Sequence, residues 1–274
     1  MKDKDRLYFK PEELVIDRSI ADIQKRRIIH SRITRLQLEG LSDMGCQVSK
    51  KETCTEVTNH SSKNITFYNR LMEITATEKS FLELFQSCTP PVSFEITPFS
   101  LPENIETILN NLGAKHTLST VILGKEILSA PIISDTEHTV RVLKESDDLF
   151  ESAFSLFSSF FTKPGESPKE AKKRFKENIG KGPHLIAINQ NRVIGSIGSI
   201  LNNGLASVYH TIISPEYRLG IALGLRLGLE MEKSLFEQGV DCYYYKTRNR
   251  AVFRGAQTIM GLTNIYTERI YEKN

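Results

Sequence analysis

Tryptophan is absent from the 274-residue sequence and cysteine is scarce, with Cys46, Cys54, Cys88 and Cys242 the only four. None stands in a Cys-x-x-Cys spacing or beside histidines in a metal-ligand pattern, which excludes the common zinc and dithiol motifs, and no metal is expected. Scattered cysteines suit free thiols in a reducing compartment. Charge of one sign is not in excess either: 36 Lys and Arg against 33 Asp and Glu leave a formal charge of +3. Without a concentrated basic face no nucleic-acid partner is expected. No apolar run approaches the roughly 20 residues of a membrane span, and Met1-Lys-Asp-Lys-Asp-Arg6 opens a charged stretch instead of an apolar one. The expectation is a cytoplasmic protein with no membrane partner. A Gly-x-x-x-x-Gly-Lys-Ser/Thr run is also missing, and Gly220, Gly224 and Gly228 do not have the dinucleotide-fingerprint spacing.

What is present is a chain long enough for one large or two ordinary domains. Apolar residues from Ser19 to Leu38 recur among Lys and Arg as in an amphipathic helix, which Gly40 should end. Its Lys25-Arg26-Arg27 cluster, with Arg32 and Arg35, reads as a solvated face because Asp17, Asp22 and Glu39 dilute the charge. Residues 45–63 are polar and suit short exposed strands or loop. A strand-like run from Ile65 to Ile74, a short helix over 78–86 and an alternating strand over 91–97 follow. A helix over 101–112 stopped by Gly113 and a strand over 116–123 complete this half.

The Pro-containing polar stretch Ser129–Glu137 marks a boundary near 130–138. After it, Thr139–Leu143 alternates as a strand, and Ser146-Asp147 can cap a helix carrying Phe150, Phe154, Phe157 and Phe160 or Phe161. That stripe suits a core better than a pocket. Ser167-Pro168 opens a second helix, running to Ile179. His184–Ile200 reads as two strands about a Gln190-Asn191 turn, and Asn202-Asn203-Gly204 turns into a third strand, Ser207–Ile213. Pro215 ends that strand, and helical spacing resumes from Ile221 to Phe236. A strand over 242–247, a helix over about 250–260, Gly261 and a last strand over 265–271 finish the chain.

The strand, tight loop and long helix between Ser207 and Gly239 organise the rest. Amide N–H groups at the start of the helix favour a phosphate or pyrophosphate, while Gly220 lets the backbone approach it. The bland alternative is an ordinary core helix whose glycines serve packing. Ile213-Ser214-Pro215 followed by Tyr217-Arg218-Leu219-Gly220-Ile221-Ala222 resembles the acyl-CoA loop of the GNAT acyltransferases, with Tyr217 standing where that loop has its first Arg or Gln. The order β-α-α-β-β-β-α-β-α-β from residue 139 onward is that family's order. Tyr68-Asn69-Arg70, Ile96-Thr97-Pro98 and Leu112-Gly113-Ala114 are similar, in the same order, to the degenerate first half of double-length members. The fold class so implied is α/β (α+β), with two GNAT-like lobes, each a mixed, mostly antiparallel sheet flanked by helices. Residues 1–130 would be a degenerate lobe without a cofactor loop, and residues 138–274 the catalytic lobe.

The resemblance implies acyl transfer from acyl-CoA, most often acetyl-CoA, to the primary amine of a small molecule or peptide. By position, Arg218, Leu219, Gly220, Ile221, Ala222 and Leu223 would meet the pyrophosphate, and the backbone of Thr211, Ile212 and Ile213 the pantetheine arm. Asn249 matches a family Asn before the last helix and is also a ready helix N-cap. His210 or Tyr209 would assist amine deprotonation, alternation allowing only one of them to face the site. Many members place a proton-donating Tyr four residues before the final Gly, where this chain has Gln257, so Tyr245 or water would substitute. The alternative is a non-catalytic acyl-CoA-binding or regulatory protein of the same fold. On either reading Gly220→Trp should reduce CoA binding below calorimetric detection without unfolding the protein. Unchanged affinity in that variant refutes the placement of the loop.

Overall fold

The computed structural model describes residues 8–19, 22–60, 66–133, 138–162, 166–217 and 221–274, and the side chains of His210 and Ile221 lie outside that description. Two compact units are present. The first takes the chain up to Ile122, Thr247–Ala251 and Asn264–Asn274, and the second takes Leu123–Lys246 and Val252–Thr263. This differs from a cut at 130–138 with everything beyond it in one lobe, because the final strand returns to the first unit.

In the first unit α1 (Ile23–Asp43) leads to β1 (Gln47–Lys50), β2 (Thr55–Thr58) and β3 (Arg70–Met72). Then come α2 (Glu78–Ser87), β4 (Val92–Ile96), α3 (Ile105–Asn111) and the first part of β5 (Lys115–Glu126). The expected stop of α1 at Gly40 is corrected: the helix runs through it to Asp43, and Gly45, just beyond the C-cap Met44, takes φ +79°. There the Cys46 N–H donates to Leu41 O at 3.1 Å, closing the helix end with a left-handed residue that glycine adopts without a Cβ penalty. The strand expected over 65–74 is also shorter. Thr66–Tyr68 forms a 3₁₀ turn, and Glu73 at φ 49° ends the strand after Met72, while Ile65 lies outside the described residues.

Tyr68-Asn69-Arg70 has a structural use. Asn69 O accepts the Ser93 N–H at 2.9 Å, and Arg70 Nη1 donates to the buried Glu95 carboxylate at 2.8 Å while stacking on Phe67. These contacts lock β3 to its parallel neighbour β4. On the other side of β4 lies β11 (Thr263–Lys273), antiparallel from Arg269↔Ile96 to Lys273↔Val92. Tyr271 of β11 is buried in the core that contains Phe81, Phe85 and Phe94, and its hydroxyl donates to Glu106 at 2.7 Å. Lys273 Nζ donates to the last carbonyls of α2, Phe85 O and Cys88 O, where a cation complements the helix dipole.

The second unit contains β6 (Thr139–Val142), α4 (Phe150–Phe161), α5 (Pro168–Ile179), β7 (His184–Asn189), β8 (Arg192–Asn202), β9 (Leu205–Ile213) and α6 (Ile221–Glu237). The strand β10 (Cys242–Thr247) and helix α7 (Arg250–Thr258) follow, β10 leaving the second unit at its last residue and α7 re-entering it after Ala251. Strand order is β6-β7-β8-β9-β10, antiparallel except for the β9–β10 pair. Ser167 and Glu170 form a capping box at α5, as the Ser-Pro start leads one to expect. Asp147 does not cap α4. Its carboxylate accepts the Leu149 N–H at 3.0 Å and pairs with Arg141 of β6, and the helix starts after Leu149. Phe150, Phe157 and Phe175 are buried together with Ile186, Val193 and Ile212, so the phenylalanine stripe is core. Among the described residues no helix is long and apolar enough to cross a membrane.

Because Tyr271 fills the first unit's core from the far end of the chain, Tyr271→Ala should destabilise that unit by about 3–5 kcal/mol, the usual cost of emptying an aromatic site. Urea unfolding that shows a loss below about 1 kcal/mol would mean that β11 is not needed there.

Candidate active site

Strand β9 carries the residues that the sequence singles out, and its pairing changes along its length. It pairs in parallel with β10 from Leu205↔Cys242 to Val208↔Tyr245, and this register ends there, short of Ile213. On its other edge β8 continues as partner, with Tyr209↔Gly198, Ile212↔Ser196 and Ile213↔Gly195. The register slips between these pairs, so His210 and Thr211 together stand opposite Ile197. This is a β-bulge, and a bulge inverts the alternation beyond it.

The consequence is visible in the side chains. Tyr209 and Ile212, three residues apart, both turn toward α4 and α5. Ile212 joins the phenylalanine core, and Tyr209 donates its hydroxyl to Asn178 O of α5 at 3.3 Å. Burial drives the Tyr209 phenol well above its ordinary range, so it stays protonated. Ile213 faces α6 instead: its Cδ1 lies 3.2 Å from where a Cβ on Gly224 would stand. Tyr245, the last residue of β10 to pair with β9, makes a side-chain hydrogen bond with Thr211 beyond the end of that pairing. Burial raises the Tyr245 phenol as well, the Thr211 bond opposing it only in part.

Past Ile213 the chain turns through Pro215–Tyr217, whose Tyr217 N–H donates to Ser214 O at 2.9 Å. Arg218, Leu219 and Gly220 lie outside the described residues, and of Ile221 only the backbone is described. Ala222 is exposed in the first turn of α6, whereas Leu223 is buried and can offer a ligand only its backbone. The first-turn amides of a 17-residue helix have no partner within that helix. Gly224 and Gly228 admit Ile213 and Met260 against α6, which is the packing role the bland reading assigns to them. Asn249 belongs to the first unit and accepts the Ala251 N–H at 2.9 Å as the N-cap of α7.

Sequence reasoning missed His184. Its ring is almost wholly buried, edge-on to Phe175, with Nε2 2.7 Å from Ser196 Oγ and, among the described residues, no partner for Nδ1. It shares a row with Gly198 and Tyr209, and a Cβ on Gly198 would come within 2.8 Å of both rings. Burial pushes the imidazole down to about 4. A histidine opening an apolar strand gives no local sign of this, because the row exists only once three strands are in register.

No family model matches the sequence, and no curated protein matches it. Solved structures do. A GCN5-related N-acetyltransferase from Kribbella flavida superposes with a TM-score of 0.60 at 14% identity, covering 88% of this chain and 94% of that one. A GCN5-related N-acetyltransferase from Sphaerobacter thermophilus gives 0.56 at 10% identity over 82% and 81% of the two chains. A tandem GNAT protein from the clavulanic acid biosynthesis pathway gives 0.55 at 13% identity over 80% and 78%. Likeness at such identities is a likeness of fold.

The His184 environment has a measurable effect on stability. Folded, the imidazole stays neutral down to about pH 4, whereas unfolded it takes up a proton near its ordinary value of 6.5. The folded state is therefore favoured in full above pH 6.5 and loses on the order of 3 kcal/mol as pH falls toward 4. The urea midpoint of the wild type should fall more steeply across that window than that of His184→Gln; parallel curves would show that His184 is not buried neutral.

Proposed function

We propose that this chain, whose fold is that of the GNAT N-acetyltransferases, transfers an acyl group from acyl-CoA, acetyl-CoA in the simplest case, to a primary amine of a small molecule or peptide. The observation that carries this is the end of β9–β10 pairing at Val208–Tyr245, followed in the same strand by a turn into the start of α6. An extended amide-bearing arm can add to a strand that has lost its neighbour, and a phosphate can sit on amides at a helix start. Here the two features lie in sequence along one chain segment.

In this reading the backbone of Thr211, Ile212 and Ile213 holds the pantetheine, and the amides from Arg218 through Leu223 hold the pyrophosphate, Arg218 adding a positive charge. The residues of the second unit do this, and Asn249 is the contact that the family resemblance adds. When bound, acyl-CoA supplies an activated thioester carbonyl. The amine nitrogen bonds to that carbon, the C–S bond breaks, the amine gives up a proton and the sulfur takes one. His210 is assigned to receive the amine proton, directly or through water, since an imidazole titrates near neutral pH. Tyr209 is not assigned that task, because its phenol is held protonated by burial, between the Asn178 carbonyl of α5 and the His184 ring of β7. Tyr245 is assigned to protonate the sulfur: burial keeps its proton on at neutral pH, and Thr211 holds it where the strands cease to pair.

Gln257 and Tyr217, in place of a family Tyr and Arg, favour the second reading, binding without turnover. Calorimetry with CoA and thiol release from acetyl-CoA over a panel of amines and peptides separate the two. Binding with thiol release supports transfer, binding alone selects the non-catalytic protein, and no binding refutes both. For a turning-over enzyme, Tyr245→Phe should lower kcat by about 100-fold with little change in KM for acyl-CoA. An unchanged kcat removes Tyr245 from the chemistry.

A further inference from the structure

The turn between β7 and β8 has a grip on the segment that precedes α6. Gln190 and Asn191 both take positive φ, 48° and 59°, in a tight hairpin turn closed by the directly opposed pair Asn189↔Arg192. Both members of that pair reach the same place. Asn189 Nδ2 donates to the Tyr217 hydroxyl at 3.0 Å, and Arg192 Nη1 lies 3.1 Å from the carboxylate of Glu216. Two successive residues of the turn after β9 are thus tied to the two closing residues of one hairpin.

The tethers differ in weight. The Arg192–Glu216 pair is largely exposed, at 68% and 45%, and an ion pair in water contributes little. Asn189 and Tyr217 are half-buried, the Tyr217 ring also meets His138 edge-on at 6.3 Å, and its own N–H is fixed on Ser214 O. Tyr217 is therefore held at its hydroxyl, its ring and its backbone. It is also the residue immediately before the proposed pyrophosphate turn.

Resting on the acyl-CoA reading above, we propose that Asn189, acting through Tyr217, is a positioning residue for pyrophosphate binding. The hydrogen bond at the hairpin tip fixes Tyr217, the residue from which the pyrophosphate-binding segment departs, so that starting point is set before CoA arrives. The pantetheine grip on Thr211–Ile213 lies on the other side of the Pro215–Tyr217 turn and does not depend on it.

The test is calorimetric titration of the full-length protein with CoA and with pantetheine, which lacks the pyrophosphate, for wild type, Asn189→Ala, Tyr217→Phe and the double variant. Each single substitution should weaken CoA binding about three- to tenfold, as loss of one such hydrogen bond does. The double variant should be no weaker than the singles, since both remove the same bond. Pantetheine affinity and Tm should stay as in wild type. Hydrogen exchange of residues 214–224 without ligand should rise in both single variants. Wild-type CoA binding that both substitutions leave intact overturns this assignment alone, as does an equal loss of pantetheine affinity. A wild type that binds no CoA overturns the acyl-CoA reading and this assignment together.

Discussion

A strand has two edges, and among the described residues β9 pairs with a strand on both only as far as Val208. Everything proposed for this protein depends on that constraint. Beyond Val208 the β8 edge is retained, which keeps the strand extended and fixed, while Tyr245 reaches Thr211 with a side chain in place of a ladder bond. The bulge at His210–Thr211 falls at the same level. By inverting the alternation it sends Tyr209 and Ile212 into one core and Ile213 toward α6, so the segment is pinned from both faces.

Close packing does the pinning. On the α6 side, Gly224 and Gly228 leave room that Ile213 and Met260 fill, bringing the helix down onto the strand that precedes it. On the α5 side, Gly198 leaves room for the rings of His184 and Tyr209, at the cost of a buried imidazole nitrogen with no partner among the described residues. A group left unpaired in a core is expensive, and such departures tend to gather near working parts of a protein. The row His184–Gly198–Tyr209 lies one residue past the end of the β9–β10 pairing, which agrees with that tendency.

The first unit has a different character. Its motif residues stitch strands: Asn69 and Arg70 join β3 to β4, and Tyr271 and Lys273 bring the end of the chain back to α2 and β4. Buried ion pairs such as Arg70–Glu95 are seldom a net gain over apolar contacts, but breaking one is costly, so they hold the register of neighbouring strands.

Local rules determined a good deal of this. The Ser167-Pro168 cap, the Gln190-Asn191 turn, the phenylalanine stripe and the order of elements from β6 to β11 follow from backbone preference and apolar period, which act over a few residues. The strand before Pro215 and the helix from Ile221 were legible for the same reason, as was Asn249 as a cap. Gly40 was misread as a stop because glycine is tolerated inside a helix whose tertiary contacts sustain it. The return of β11 to the first unit, the bulge that puts Tyr209 and Ile212 on one face, the burial of His184 and the hold of Asn189 on Tyr217 were decided only in three dimensions. Each joins residues far apart in sequence, and pairing of that kind is chosen by which edges and faces remain unsatisfied once the local elements have formed.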